Sequence, residues 1–144
     1  MSGTYREFDH TGDIGIEAEA PDEVSLYATC ARALFDIIAG RAPIETRGSL
    51  DIRVEAPDRE MLMVRWLNEL LYVHATERWI FREFDVAIGE KPGGGWWLEG
   101  MARGDRFDPA RHALRTELKA VTYHQLSARR DEDGIWRARL VFDI

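Results

Sequence analysis

The chain has 144 residues, 45% of them hydrophobic, which is enough for one domain with a core of its own. A formal net charge of −7 argues against tight general binding to a phosphate backbone, since such affinity comes from clustered Lys and Arg. One cysteine, Cys30, excludes an internal disulfide and, with no zinc-type Cys/His spacing present, points to a reducing compartment.

In chain order, Tyr5 to Asp9 and Asp13 to Glu19 read as two strands that pair around an acidic loop. The second alternates cleanly, with Ile14, Ile16 and Ala18 inward and Asp13, Gly15, Glu17 and Glu19 outward. Two helices follow the same tetrapeptide, Glu19-Ala20-Pro21-Asp22 and Glu55-Ala56-Pro57-Asp58. Proline stops the preceding strand, and the aspartate accepts from the free amides of the coming first turn. The first helix is expected to run to about Ala39, with Tyr27, Ala31, Leu34, Phe35 and Ile38 on one stripe and Gly40 as its stop. Cys30 lies within it and reads as a small core residue.

Ser49 to Glu55 alternates as a strand, and the second helix is expected from about Arg59 to Glu77. It buries Leu62, Trp66, Leu67, Leu70, Leu71 and His74, the histidine as a packed or capping residue. Ile80 to Gly89 and Trp96 to Arg103 form a hairpin across Gly93-Gly94-Gly95, which lacks the following helix and the Gly-Lys-Ser/Thr ending of a phosphate loop. Asp108-Pro109 opens like a short helix, and Lys119 to His124 alternates weakly. Leu126 to Arg130 and Ile135 to Asp143 form a last hairpin around Asp133-Gly134. The expected fold is α+β: a mostly antiparallel sheet system with two long helices packed on one side, in a single domain spanning 1–144.

From Arg103 onward basic side chains outnumber acidic ones, a strip that suits either a solvated sheet face or contact with RNA or an acidic partner. No signal peptide precedes the first strand and no apolar run reaches the length of a membrane span, so a cytoplasmic protein is expected.

The last strand places Asp143 on its polar side and leaves the main-chain carboxylate of Ile144 beside it. If this strand neighbours Asp13 to Glu19, then Asp13, Asp143 and the Ile144 carboxylate converge. Three carboxylates repel unless something positive sits between them, and a hard divalent cation meets that need. The alternative is ordinary: Asp9 and Asp13 as turn residues, and Asp143 paired with a surface arginine such as Arg139.

Three segments, Phe8-Asp9-His10-Thr11-Gly12-Asp13-Ile14-Gly15, Leu118-Lys119-Ala120-Val121-Thr122-Tyr123-His124 and the ending Val141-Phe142-Asp143-Ile144, resemble the archease family in order and at its usual length. The resemblance implies an archease-like sandwich and an accessory role toward the RNA-splicing ligase RtcB. Archeases promote guanylylation of that ligase so that it turns over repeatedly in tRNA splicing. It also implies an activator, not an enzyme, with a divalent metal held by Asp13, Asp143 and the main-chain carboxylate of Ile144. Calcium is the expected ion, with magnesium or manganese as alternatives. Gly12 stands where the family usually has alanine, which loosens the backbone beside Asp13.

Two other functions fit the same residues. One is a metal-dependent phosphoesterase or nuclease with Asp9, Asp13 and Asp143 around an ion, His124 as general base and Lys119 on phosphate. The other is a scaffold without a metal requirement. Lys119, Thr122, Tyr123 and His124 would then be catalytic, partner-facing or structural, according to which reading holds.

Overall fold

A computed structural model describes residues 3–144. It contains β1 (Thr4–His10), β2 (Asp13–Ala20), α1 (Glu23–Ala39), β3 (Gly48–Ala56), α2 (Arg59–Glu77), β4 (Trp79–Glu90), β5 (Trp96–Arg106), β6 (Ala120–Val121), β7 (Ser127–Arg130) and β8 (Trp136–Asp143). The strands form two antiparallel sheets. One runs β1-β2-β8-β6 with β7 also paired to β8, and the other runs β3-β5-β4.

Both helices begin where the sequence places them. Asp22 and Asp58 are extended, and their carboxylates each accept from the amide three residues on, Ser25 and Met61, at 2.8 Å. Gly40 ends α1 at φ 76°, a conformation costly for any side chain, and its amide donates to Asp36 O at 2.8 Å. The triple glycine is a turn with all three residues at positive φ.

Each helix packs against strands of both sheets, so a single apolar core joins the two layers. Ile16 and Leu140, opposite one another in β2 and β8, are fully buried, as are Leu34, Phe35, Trp66, Phe81 and Leu98. Trp66 buries its ring without stranding its indole N–H, which donates to Tyr27 O at 3.1 Å. His74 is a packed histidine: its Nδ1 lies 2.8 Å from Trp79 O and its ring meets Phe35 edge-on. Cys30 is fully enclosed, and burial pushes its thiol well above the usual range, so it is no nucleophile.

The segment after β5 departs from the sequence reading. Asp108 opens one turn, with the Arg111 and His112 amides donating to its carbonyl, but no helix follows. Buried Asp105 explains this, because Arg111 reaches it at 3.1 Å while also bonding Asp108 at 3.0 Å. The Asp108 carboxylate accepts from the Ala110 amide at 2.9 Å. Side-chain bonds to the backbone compete here with helix propagation. The chain then runs irregularly, anchored by the Arg115 amide on Ile38 O at 2.7 Å, until it pairs as β6.

Candidate metal and partner site

The acidic end of the larger sheet is built by strand register. β2 and β8 pair antiparallel from Ala20 with Trp136 to Ile14 with Phe142. One step further along the same register, Asp13 stands across from Asp143. Ile14 packs toward the core and Phe142 is fully buried, so the two aspartates take the opposite, outer face. Asp143 is exposed and Asp13 half-buried. Ile144 follows at 47% exposure.

The backbone of Asp143 is fixed from both sides. β2 lies along one flank, and on the other Ala120 of β6 pairs with Asp143 while the Lys119 amide donates to its carbonyl at 2.9 Å. The Thr122 amide continues the contact to Val141 O at 2.9 Å. β6 is itself tied to α2, because Asn68 Oδ1 accepts from the Val121 amide at 2.9 Å. The end of β8 is therefore an interior strand of the sheet with a defined position.

Each residue singled out in the sequence can now be placed. The register of β2 with β8 brings Asp13 and Asp143 to the same end of the sheet, and Ile144 is the residue that follows Asp143. Asp9 does not join them: it pairs with Ile14 and so lies on the other face of β1 from the one Asp13 uses on β2. Arg139 does not serve Asp143. Its guanidinium is engaged by Glu17 at 3.1 Å and by Gln125 Oε1 at 3.0 Å, and it lies 4.0 Å from the centre of the Phe8 ring. Lys119 and His124 are exposed, the His124 amide donating to Thr122 Oγ1 at 3.2 Å. Tyr123 is 63% exposed.

Among the described residues, no three or more His, Cys, Asp or Glu side chains group closely enough to hold a metal ion. The trio expected from the sequence has only two such side chains, and Ile144 would add a main-chain carboxylate. All three offer hard oxygen atoms, which suit calcium, magnesium or manganese and leave coordination positions for water or a partner's ligand. The donor chemistry fits a hard cation.

Sequence reasoning missed Asn68, Phe8, Gln125 and the role of Arg139. A lone asparagine beside an apolar helical stripe was a usable signal for the first. The others depend on cross-strand neighbours that no local pattern encodes. The larger concavities lie elsewhere. One of about 590 Å³ on the outer face of β3-β5-β4 is lined by Asp51, Arg53, Asp85, Glu99 and Met101, and one of about 510 Å³ by Arg59, Trp96, Arg129 and Trp136. Neither reaches Asp13 or Asp143. Among the described residues, no helix is long and apolar enough to cross a membrane.

Residues 5–144 match the model of the Archease protein family. The chain is 41% identical to Protein archease of Pyrococcus furiosus, with 97% of this chain and 98% of that one aligned. It is 36% identical to Protein archease of Methanopyrus kandleri over 97% and 99% of the two. The solution structure of Methanobacterium thermoautotrophicum protein 1598 superimposes with a TM-score of 0.85 at 34% identity, covering 97% of this chain and 98% of that one. A match of such length in sequence and in fold has one meaning: the chain belongs to the archease family.

Proposed function

We propose that this protein is an accessory activator of an RtcB-type RNA-splicing ligase, promoting its guanylylation and repeated turnover in tRNA splicing in the cytoplasm. It works through a divalent-metal site and does not itself catalyse ligation. Family membership supports the reading, and the observation that carries it is the β2–β8 register that sets Asp13 across from Asp143.

In this reading Asp13 and Asp143 hold the ion through their side chains and Ile144 through its main-chain carboxylate. Calcium is the expected ion, magnesium and manganese the alternatives. When bound, such a cation supplies positive charge that a nucleotide phosphate or a ligase carboxylate can approach. The protein's own contribution is rigidity: the paired strands and the Lys119 amide keep two like charges at a fixed place instead of letting them separate.

The test is multiple-turnover RNA ligation by a cognate RtcB-type ligase with this protein, with its Asp13→Ala and Asp143→Ala variants, and with one residue added after Ile144. Wild type is expected to raise turnover. The two substitutions, in variants that remain folded, are expected to lower the stimulation at least tenfold, and the extension to weaken it by displacing the terminal carboxylate. Equal stimulation by wild type and both alanine variants would remove the metal site from the mechanism. The absence of stimulation by wild type would remove the activator role.

A further inference from the structure

We infer that Arg139 is a positioning residue that holds the 122–126 loop along β8, the strand that ends in Asp143, and that Tyr123 on this loop is a contact for the ligase; this rests on the activator reading above.

Cross-strand pairing orders the outer face of the larger sheet into tiers about 7 Å apart. The end tier carries Asp13 and Asp143. Behind it lie Phe8, Gly15 and Val141, and behind those Arg6, Glu17 and Arg139. The middle tier is unusual in its packing. A Cβ on Gly15 would sit 2.1 Å from the Phe8 ring, so glycine is what lets that ring lie flat across β2 toward β8. Val141 is 1% exposed although it belongs to the outer face, and it is not part of the main core.

Arg139 caps this arrangement. Its guanidinium stacks on Phe8, pairs with Glu17 and donates from Nε to Gln125 Oε1. Gln125 is one of only two non-glycine residues at positive φ among those described, at 54°, a conformation that costs roughly 1 kcal/mol for an L side chain. The bond from Arg139 is what the loop gains by adopting it. The loop is closed further by the His124 amide on Thr122 Oγ1 and by the Leu126 amide on Tyr123 O at 3.4 Å. The loop is thus pinned at Gln125 and rooted by the Thr122 amide on Val141 O of β8, with Tyr123 exposed between these two anchors.

The result is a large aromatic side chain, 63% exposed, on a hydrogen-bonded loop, with Ile144 at 47% exposure at the end of β8. Exposed aromatics on rigid supports lose little entropy on binding and are the residues that most often dominate interface energetics. The acidic pair gives the same surface charge specificity.

The experiment titrates Tyr123→Ala, Tyr123→Phe, Arg139→Ala and Arg139→Lys into the multiple-turnover ligation assay, with calcium and manganese binding to each isolated variant measured by calorimetry. Tyr123→Ala is expected to raise the half-saturating activator concentration about tenfold or more, with metal affinity unchanged because Asp13 and Asp143 are untouched. Tyr123→Phe is expected to stay close to wild type. Arg139→Ala should show the same affinity defect, relieved in part by Arg139→Lys, which keeps the charge toward Glu17 but loses the planar stack on Phe8. Tyr123 being exposed, its alanine variant folds whatever Arg139 does. A half-saturating concentration that does not move in Tyr123→Ala, with wild type stimulating normally, overturns this inference alone. A wild type that gives no stimulation overturns the activator reading and this inference with it.

Discussion

Tyr5 shows how much a single side chain can link. From β1 its hydroxyl donates to Asp36 of α1 at 2.6 Å and accepts from Arg41 at 3.1 Å, while Arg82 of β4 approaches Asp36 from the other side at 3.5 Å. Both sheets thus meet at the end of one helix. Burial, followed by the hydrogen bond to Asp36 and its charge, pushes the Tyr5 phenol up to about 12, against about 10 in an unfolded chain. The fold favours the protonated phenol, so its contribution is complete below about pH 10 and is lost as pH rises toward 12. Tyr5→Phe is expected to lower unfolding free energy at pH 8 by about 1.5–3 kcal/mol, the range for a hydrogen bond to a charged group. That gap should narrow between pH 10 and 12, because only wild type retains the titrating hydroxyl. Urea titrations at pH 8, 10 and 11 check this, and a gap that stays constant refutes it.

Among the elements, the helices were the most legible in the sequence. Their bounds follow from proline and aspartate at one end and from the glycine after α1, features that act within a few residues. Asp22 also gives α1 an acid-sensitive start. Ser25, through its side chain first and its amide second, holds the Asp22 carboxyl below the usual carboxylate range. Its contribution is therefore present above the unfolded carboxylate value near 4 and is lost as pH falls below it. Asp22→Ala should cost about 1 kcal/mol at pH 7 and much less at pH 3, measured by urea unfolding at both. The strands were placed to within a few residues, because alternation is local as well. What could not be read is the stretch from Asp108 to His124. Its course depends on the buried state of Asp105, which captures Arg111, and on two partners far off in sequence: Ile38 O, which accepts two amides, and Asn68, which receives β6. The acidic site was half legible for the same reason. Alternation put Asp13 and Asp143 on polar faces, but only the pairing of β2 with β8 makes them neighbours, and it also removes Asp9 from their company.

For the molecule as a whole, the governing fact is one core shared by two sheets and two helices. Leu140, fully buried in β8 opposite Ile16, belongs to it as much as Phe81 of the other sheet does. Leu140→Ala is expected to destabilise by about 2–5 kcal/mol. The loss should shift far-UV circular dichroism and tryptophan fluorescence by the same amount, although most tryptophans lie outside β8. Separate transitions for the two probes would mean that the sheets unfold independently. The place of β8 also sets a timetable for synthesis. β3, α2, β4 and β5 are continuous in the chain and can close their sheet as soon as they leave the ribosome. β1 and β2 emerge first but must wait for β8, the last strand made, a delay on the order of ten seconds at ordinary translation rates. During that interval the inner edge of β2 is an open template for aggregation. Glu17 and Glu19 stand along it, charges that discourage a foreign strand until Arg139 and Arg137 of the proper one arrive to meet them.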